Sequence, residues 1–296
     1  MKRWFLRSTV LALAAGILVV PAGRALAGPA PQTAVRTDAM APSIARVQIA
    51  ASWFSGYAIK LNGSLWAWGN NVFGQLGLGD TRQRRLPTRV GRSTGWATIA
   101  AGEHCLAVKR DGSLWSWGSN DTGQLGLGSA KYGPHPRPQR VAGADWKAVG
   151  VGVEFSVALK RDGSLWTWGN NNLGALGQGT STEELRYWRP TRVGRSSDWK
   201  AIAVGQDWVL ALKRDGSLWA WGENDSGQLG LGDKVTRKSP TRVRSSGWAK
   251  IAAGSDFSLA LKANGSFWAW GSDRKDQLGL RVLRNRLVPT KIASLQ

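Results

Sequence analysis

Cysteine occurs once in 296 residues, at Cys105, and histidine twice, at His104 and His135. One cysteine excludes an intramolecular disulfide framework and a cysteine-based zinc site, and two histidines leave little for a His-rich metal centre. Acids are also scarce, 19 against 40 lysines and arginines, so the formal net charge is +21. Long apolar runs are missing apart from Thr9–Val20, so no other stretch is long enough to cross a bilayer. No segment carries helix-period apolar spacing. What the chain has in excess is glycine, 38 residues, and tryptophan, 18, against six phenylalanines and three tyrosines. With 42% hydrophobic and 20% charged residues it is globular, and such a narrow bias indicates one local pattern used many times.

The first residues suit a targeting segment. Lys2, Arg3 and Arg7 precede the apolar run, and Ala25-Leu26-Ala27 leads into Gly28-Pro29. That order predicts a secretory signal over residues 1–27, cut after Ala27, with an uncleaved anchor as the alternative. Residues 28–43, rich in Ala, Pro and Thr, are expected to be a flexible lead-in. The expected location is therefore secreted or periplasmic, with no membrane span after cleavage.

From residue 44 onward the chain is five copies of one unit. The segment at Ser64–Gly69 recurs from Ser113, Ser164, Ser217 and Ser266, about 50 residues apart. Each copy is followed by a glycine block, Gly74-Gln75-Leu76-Gly77-Leu78-Gly79 in the first, and then by a proline-containing block at Pro87, Pro138, Pro190, Pro240 or Pro289. A fourth block, Trp96 to Gly102, returns from Trp146, Trp199 and Trp248. Repeats of this length mean a propeller or a solenoid.

Within one copy the pattern is antiparallel β-structure. Leu106–Arg110 and Ser113–Trp117 flank Asp111-Gly112, which predicts a hairpin with a type I′ turn; Asn62-Gly63, Asp162-Gly163, Asp215-Gly216 and Asn264-Gly265 stand in the same place. Ile99-Ala100-Ala101 makes a strand small enough for a crowded axis, and the segment near Pro87 suits an edge strand. Trp66 and Trp68 point to one face and Leu65 and Ala67 to the other, with both sets buried between neighbouring units. The fold class is all-β, a β-propeller of five four-stranded blades at about 44–95, 96–145, 146–198, 199–247 and 248–296.

These blocks resemble the repeat of the regulator of chromosome condensation family over roughly residues 44–296. The Ile-Ala-Ala-Gly strand, the Asp-Gly hairpin, the Trp-Gly strand end and Gly-Gln-Leu-Gly-Leu-Gly carry the likeness. The resemblance implies a propeller whose well-known form has seven blades, where this chain supplies five. Closure into a five-bladed ring is expected, because open ends would expose two apolar blade faces; an open arc, or one completed by a second chain, is the alternative.

Catalytic patterns are not apparent. The glycine block follows a hairpin, opens no helix and repeats, so it serves loop packing rather than phosphate binding. His104 and Cys105 are adjacent on a strand and face opposite ways, which suits neither nucleophile nor base. No enzyme activity, cofactor or metal is expected.

Binding is the remaining class. The turn between the first and second strands differs from copy to copy and should ring one mouth of the central channel. It carries Trp53 and Phe54, Glu103 and His104, Glu154 and Phe155, Asp207 and Trp208, then Asp256 and Phe257. An aromatic and acidic rim would suit a protein partner bearing Arg or Lys. Bases cluster on the outer strand and the loop before it, including Arg84, Arg85, Arg186, Arg189, Arg237, Lys238, Arg284 and Arg286, a rim suited to an anionic polymer or envelope surface. The leading expectation is a secreted, non-catalytic scaffold or inhibitor of a protein partner. Two alternatives stand beside it. One is nucleotide exchange on a small GTPase, which the family resemblance implies; the other is a lectin or envelope binder.

Overall fold

A computed structural model describes residues 47–293 apart from 130, 181–185 and 281–282; the expected signal segment and lead-in lie outside the described residues. The chain forms five four-stranded antiparallel sheets, each a simple meander from an inner to an outer strand. Blade 1 spans residues 48–89 and blades 2 to 5 span 96–140, 146–192, 199–242 and 248–291. In blade 2 the strands are Trp96–Ala101, His104–Lys109, Leu114–Gly118 and His135–Arg140, and the other blades repeat this plan. The innermost strand is the Ile-Ala-Ala block and the outermost holds the prolines, where a missing N–H costs no ladder bond.

The hairpin between the second and third strands differs from the type I′ turn expected. Only the glycine has positive φ (79° at Gly112), and Asp111 does not. The Gly112 N–H donates to the Lys109 carbonyl and the Lys109 N–H to that of Ser113, which is a three-residue loop closed by a left-handed glycine. Asp111 is used for something else: its carboxylate accepts from the Ser113 N–H and hydroxyl, and that hydroxyl in turn receives the Trp115 indole. The same Asx-Ser-Trp relay recurs at Asn62, Asp162, Asp215 and Asn264.

The seams between blades hold the core. The second Trp of each pair in blades 2 to 5 is fully buried and donates its indole N–H to a glycine-block carbonyl of the preceding blade: Trp117 to Gln75 (2.7 Å), Trp168 to Gln124 (2.8 Å), Trp221 to Ala175 (2.8 Å) and Trp270 to Gln228 (2.9 Å). This explains one conserved spacing of the block. A Cβ at Gly126, where φ is 69°, would lie 2.7 Å from the Trp168 ring nitrogen, so only glycine lets the indole reach the loop. Gly126→Ala is expected to lower the unfolding free energy by more than about 2 kcal/mol, combining positive φ with overpacking, and thermal unfolding will show it.

The first Trp of each pair is not buried as expected. Trp66, Trp115, Trp166, Trp219 and Trp268 are half-buried, each beneath a lysine ammonium 4.0–4.9 Å from the ring centre.

Closure is where the expectation and the structure differ. Successive inner strands pack from blade 1 through blade 5, but among the described residues no comparable seam joins blade 5 to blade 1. Trp68 is only half-buried and its indole meets no equivalent carbonyl. Phe257, Leu259 and Leu261 are partly exposed, although their counterparts Phe155, Val157 and Leu159 are at most 1% exposed, and Phe267 is 41% exposed. Among the described residues the five blades surround their axis as an arc, with no described blade packed on either end face.

Candidate functional site

The turn between first and second strands lies at one end of the axis, opposite the Asx-Gly hairpins. There all five blades line a cavity of about 280 Å³, with Trp53 and Phe54 from blade 1, Glu103 from blade 2, Val153 from blade 3, Gln206 from blade 4 and Ser255 from blade 5. Backbone bonds tie the far side together, Val153 N–H to the Gln206 carbonyl and Gln206 N–H to that of Ser255.

The expected ring of aromatics and acids is only partly present. Trp53 and Phe54 are exposed, at 43% and 69%. Phe155 and Trp208 instead turn into the seams; Trp208 is fully buried and donates to the Ser255 carbonyl (2.8 Å). They belong to the core because in blades 3 and 4 these positions begin the second strand on the side facing the next blade. Phe257 occupies the same position in blade 5, where no described blade covers it, and stays partly exposed. His104 is likewise a seam residue. Its Nε2 lies 2.8 Å from the Ser156 hydroxyl, and because that hydroxyl donates to the Gln124 carbonyl, the imidazole is the donor. Burial pushes its pKa down to about 3, so it is neutral. Cys105, also fully buried, has its thiol pushed up to about 12 by burial, which leaves it unreactive.

The acids do gather. Burial, and then the neighbouring Glu154, push the Asp207 carboxyl up to about 6. The Glu103 carboxyl is raised by burial, then by Glu154 and Asp121. Glu154 is held by the Asn170 amide, and Asp256 sits half-buried on blade 5. Two residues absent from the sequence-based expectation join the site: Val72, 57% exposed, and Phe73, both on the loop after the third strand of blade 1. The signal was there, since the other copies carry Asp121-Thr122, Asn172-Leu173, Asp225-Ser226 and Arg274-Lys275 at that position. Blade 1 therefore supplies an apolar lip, and Glu103 lines the cavity with Glu154 near it and Asp207 near Glu154.

The outer-strand bases are dispersed and several have local work. Arg84 pairs with Asp80 (2.7 Å) and Arg237 with Asp233 (2.6 Å). Arg186 reaches the Asp121 carbonyl, and the Arg189 guanidinium lies on Gly128 of the preceding blade. Arg85, Lys238 and Arg284 are exposed, and Arg286 is half-buried.

Five meander blades about one axis, with a cavity at one end, define a β-propeller. The comparisons make this specific. The model described as the Regulator of chromosome condensation (RCC1) repeat matches residues 62–108, 111–159, 162–212 and 215–261, and a second of the same description matches 47–75, 146–175, 199–228 and 248–277. The chain belongs to the RCC1-repeat family. It is 32% identical over 197 residues to the ultraviolet-B receptor UVR8 of Arabidopsis thaliana, covering 62% of this chain and 42% of that one. It is 31% identical over 193 residues to the human E3 ubiquitin-protein ligase HERC2, covering 63% of this chain and 4% of that one. The chain thus spans less than half the length of these curated relatives. Among solved structures, Prp20p of Saccharomyces cerevisiae superposes with a TM-score of 0.74 at 24% identity, over 84% of this chain and 63% of that one. Human WBSCR16 gives 0.74 at 20% identity, over 84% and 67%. These two likenesses establish the fold.

Proposed function

We propose that this chain is an exported, non-catalytic propeller that binds a protein partner at the mouth described above. The observation that carries the reading is the exposed Trp53–Phe54–Val72 lip beside Glu103, Glu154 and Asp207 at an open cavity. Exposed aromatics next to partly desolvated carboxylates fit a partner loop that offers an apolar side chain and a Lys or Arg together. Support from the fold is general: the structure of Prp20p is described with its binding to Gsp1p and histones, so a related propeller presents protein-binding surfaces. Export rests on the Lys2–Arg7, Thr9–Val20 and Ala25–Ala27 order.

The test is capture of exported proteins on the immobilised chain, followed by titration of the complex obtained. Trp53→Ala and Glu103→Ala are each expected to weaken it at least tenfold without lowering the melting temperature, because neither residue is in the core. Equal affinity in both variants refutes the mouth as the contact surface. A mature N-terminus at Gly28 in the exported product would bear out the targeting reading.

A further inference from the structure

The end of the propeller opposite the mouth carries a different chemistry. Strand register places one base per blade directly across from the first Trp of each pair: Arg89 across from Trp66, Arg140 from Trp115, Arg192 from Trp166, Arg242 from Trp219 and Lys291 from Trp268. All five bases are exposed. On the inner side of the same tryptophans the second strands of blades 2 to 5 end in Lys109, Lys160, Lys213 and Lys262, each paired with the Trp that opens the first strand, and in blade 1 Lys60 lies over Trp66. Every blade therefore presents Lys–Trp–Arg, or Lys–Trp–Lys in blade 5, in one register. The hairpins add exposed Arg110, Arg161 and Arg214.

Acids on this end are fewer than the bases. Asp111, Asp162 and Asp215 accept from the hairpin serines, and those hydrogen bonds first and nearby bases second hold their carboxyls below the usual range, so they stay charged and offset part of the field of Arg140, Arg192 and Arg242. Among the described residues the ion pairs of this end are limited to Lys213 with Asp198 (3.2 Å). The molecule is thus polar along its axis, with raised-pKa carboxylates at one mouth and an evenly repeated cationic face at the other.

We propose that this second face binds an acidic polysaccharide, which runs around the arc and places successive anionic groups on successive blades. One base at the same register position of every blade suits a polymer that carries repeated charge. Guanidinium forks pair with sulfate or carboxylate oxygens. The half-exposed tryptophan edges meet sugar C–H groups. The lysines that roof those tryptophans occupy the ring faces that nucleobases would need for stacking, which disfavours single-stranded nucleic acid.

The test is titration of the full chain with heparin as a sulfated probe and polygalacturonate as a carboxylated one, at several salt concentrations. Binding to at least one is expected, with log K falling steeply as salt rises. The triple variant Arg140→Ser/Arg192→Ser/Arg242→Ser should weaken it at least tenfold and flatten the salt slope. These side chains are exposed, and an unchanged circular dichroism spectrum and melting temperature will show that the fold is kept. Arg85→Ser/Lys238→Ser, nearer the mouth end, should stay within twofold of the parent, as should Trp53→Ala, so the result is independent of the mouth reading. The proposal is overturned if the triple variant binds as tightly as the parent, if neither polysaccharide binds, or if single-stranded DNA or anionic lipid vesicles bind more tightly than both.

Discussion

Trp168→Ala should lower the unfolding free energy by about 4 kcal/mol, and Trp68→Ala, the same repeat position on the end blade, by about 1 kcal/mol. Trp168 is fully buried in the seam between blades 2 and 3, packs edge-on against Trp146 (6.2 Å between ring centres) and donates to the Gln124 carbonyl. Its removal loses the transfer of a large aromatic, leaves a cavity that the flanking sheets cannot collapse into, and takes one donor from a buried acceptor. Trp68 holds the same repeat position, but no described blade packs on that side and it is only half-buried. For a chain of this size, 4 kcal/mol corresponds to a fall of roughly 10 °C in melting temperature. Urea titration of the two variants, followed by far-UV circular dichroism, decides the matter. Equal losses would mean that blade 1 is covered in solution.

Asp207→Asn is expected to stabilise the protein at neutral pH and to remove part of its pH dependence. Burial and Glu154 raise the folded-state pKa of Asp207 from 3.8 to about 6. A raised carboxyl pKa means that the folded chain holds this proton more tightly than the unfolded chain between those two values. Stability from this group is therefore fully present below pH 3.8, is lost as pH rises toward 6, and stays lost above it. A shift of about two units corresponds to at most roughly 3 kcal/mol; partial exposure of the side chain reduces this to about 2 kcal/mol. The variant should match the parent near pH 3.5 and exceed it by that amount at pH 7, as urea midpoints at pH 3.5, 5, 6 and 7 will show. A difference that does not change with pH would place the Asp207 carboxyl in water. The same proton bears on the proposed function, since a cationic partner meets a charged Asp207 only above about pH 6, and its affinity should rise through that value.

Much of this could be read from the residues alone. Four blocks in fixed order at a period near 50, with alternating apolar positions and Asx-Gly junctions, allow few folds other than a propeller, because each block is a local pattern that needs no distant partner to be recognised. The loop-packing role of the glycine block and the edge position of the prolines follow from the same local logic. The acid cluster was also legible, since Glu103, Glu154 and Asp207 stand where the repeats diverge.

Tertiary structure decided what depends on a neighbouring blade. His104, Phe155 and Trp208 look like rim residues in the sequence, but the side of the sheet that they occupy faces the next blade, and burial there outweighs exposure at the mouth. The Asx residues of the hairpins looked like turn formers with positive φ; their carboxylates and amides instead bind serines that orient the half-buried tryptophans. The lysine over each tryptophan comes from the same hairpin, but the base across from it stands more than about twenty residues further along the chain and reaches it only through strand register. Trp68 and Leu259 have repeats whose partners are buried, and no local signal distinguishes them. Their exposure depends on where the arc stops, because a seam exists only when both of its blades do.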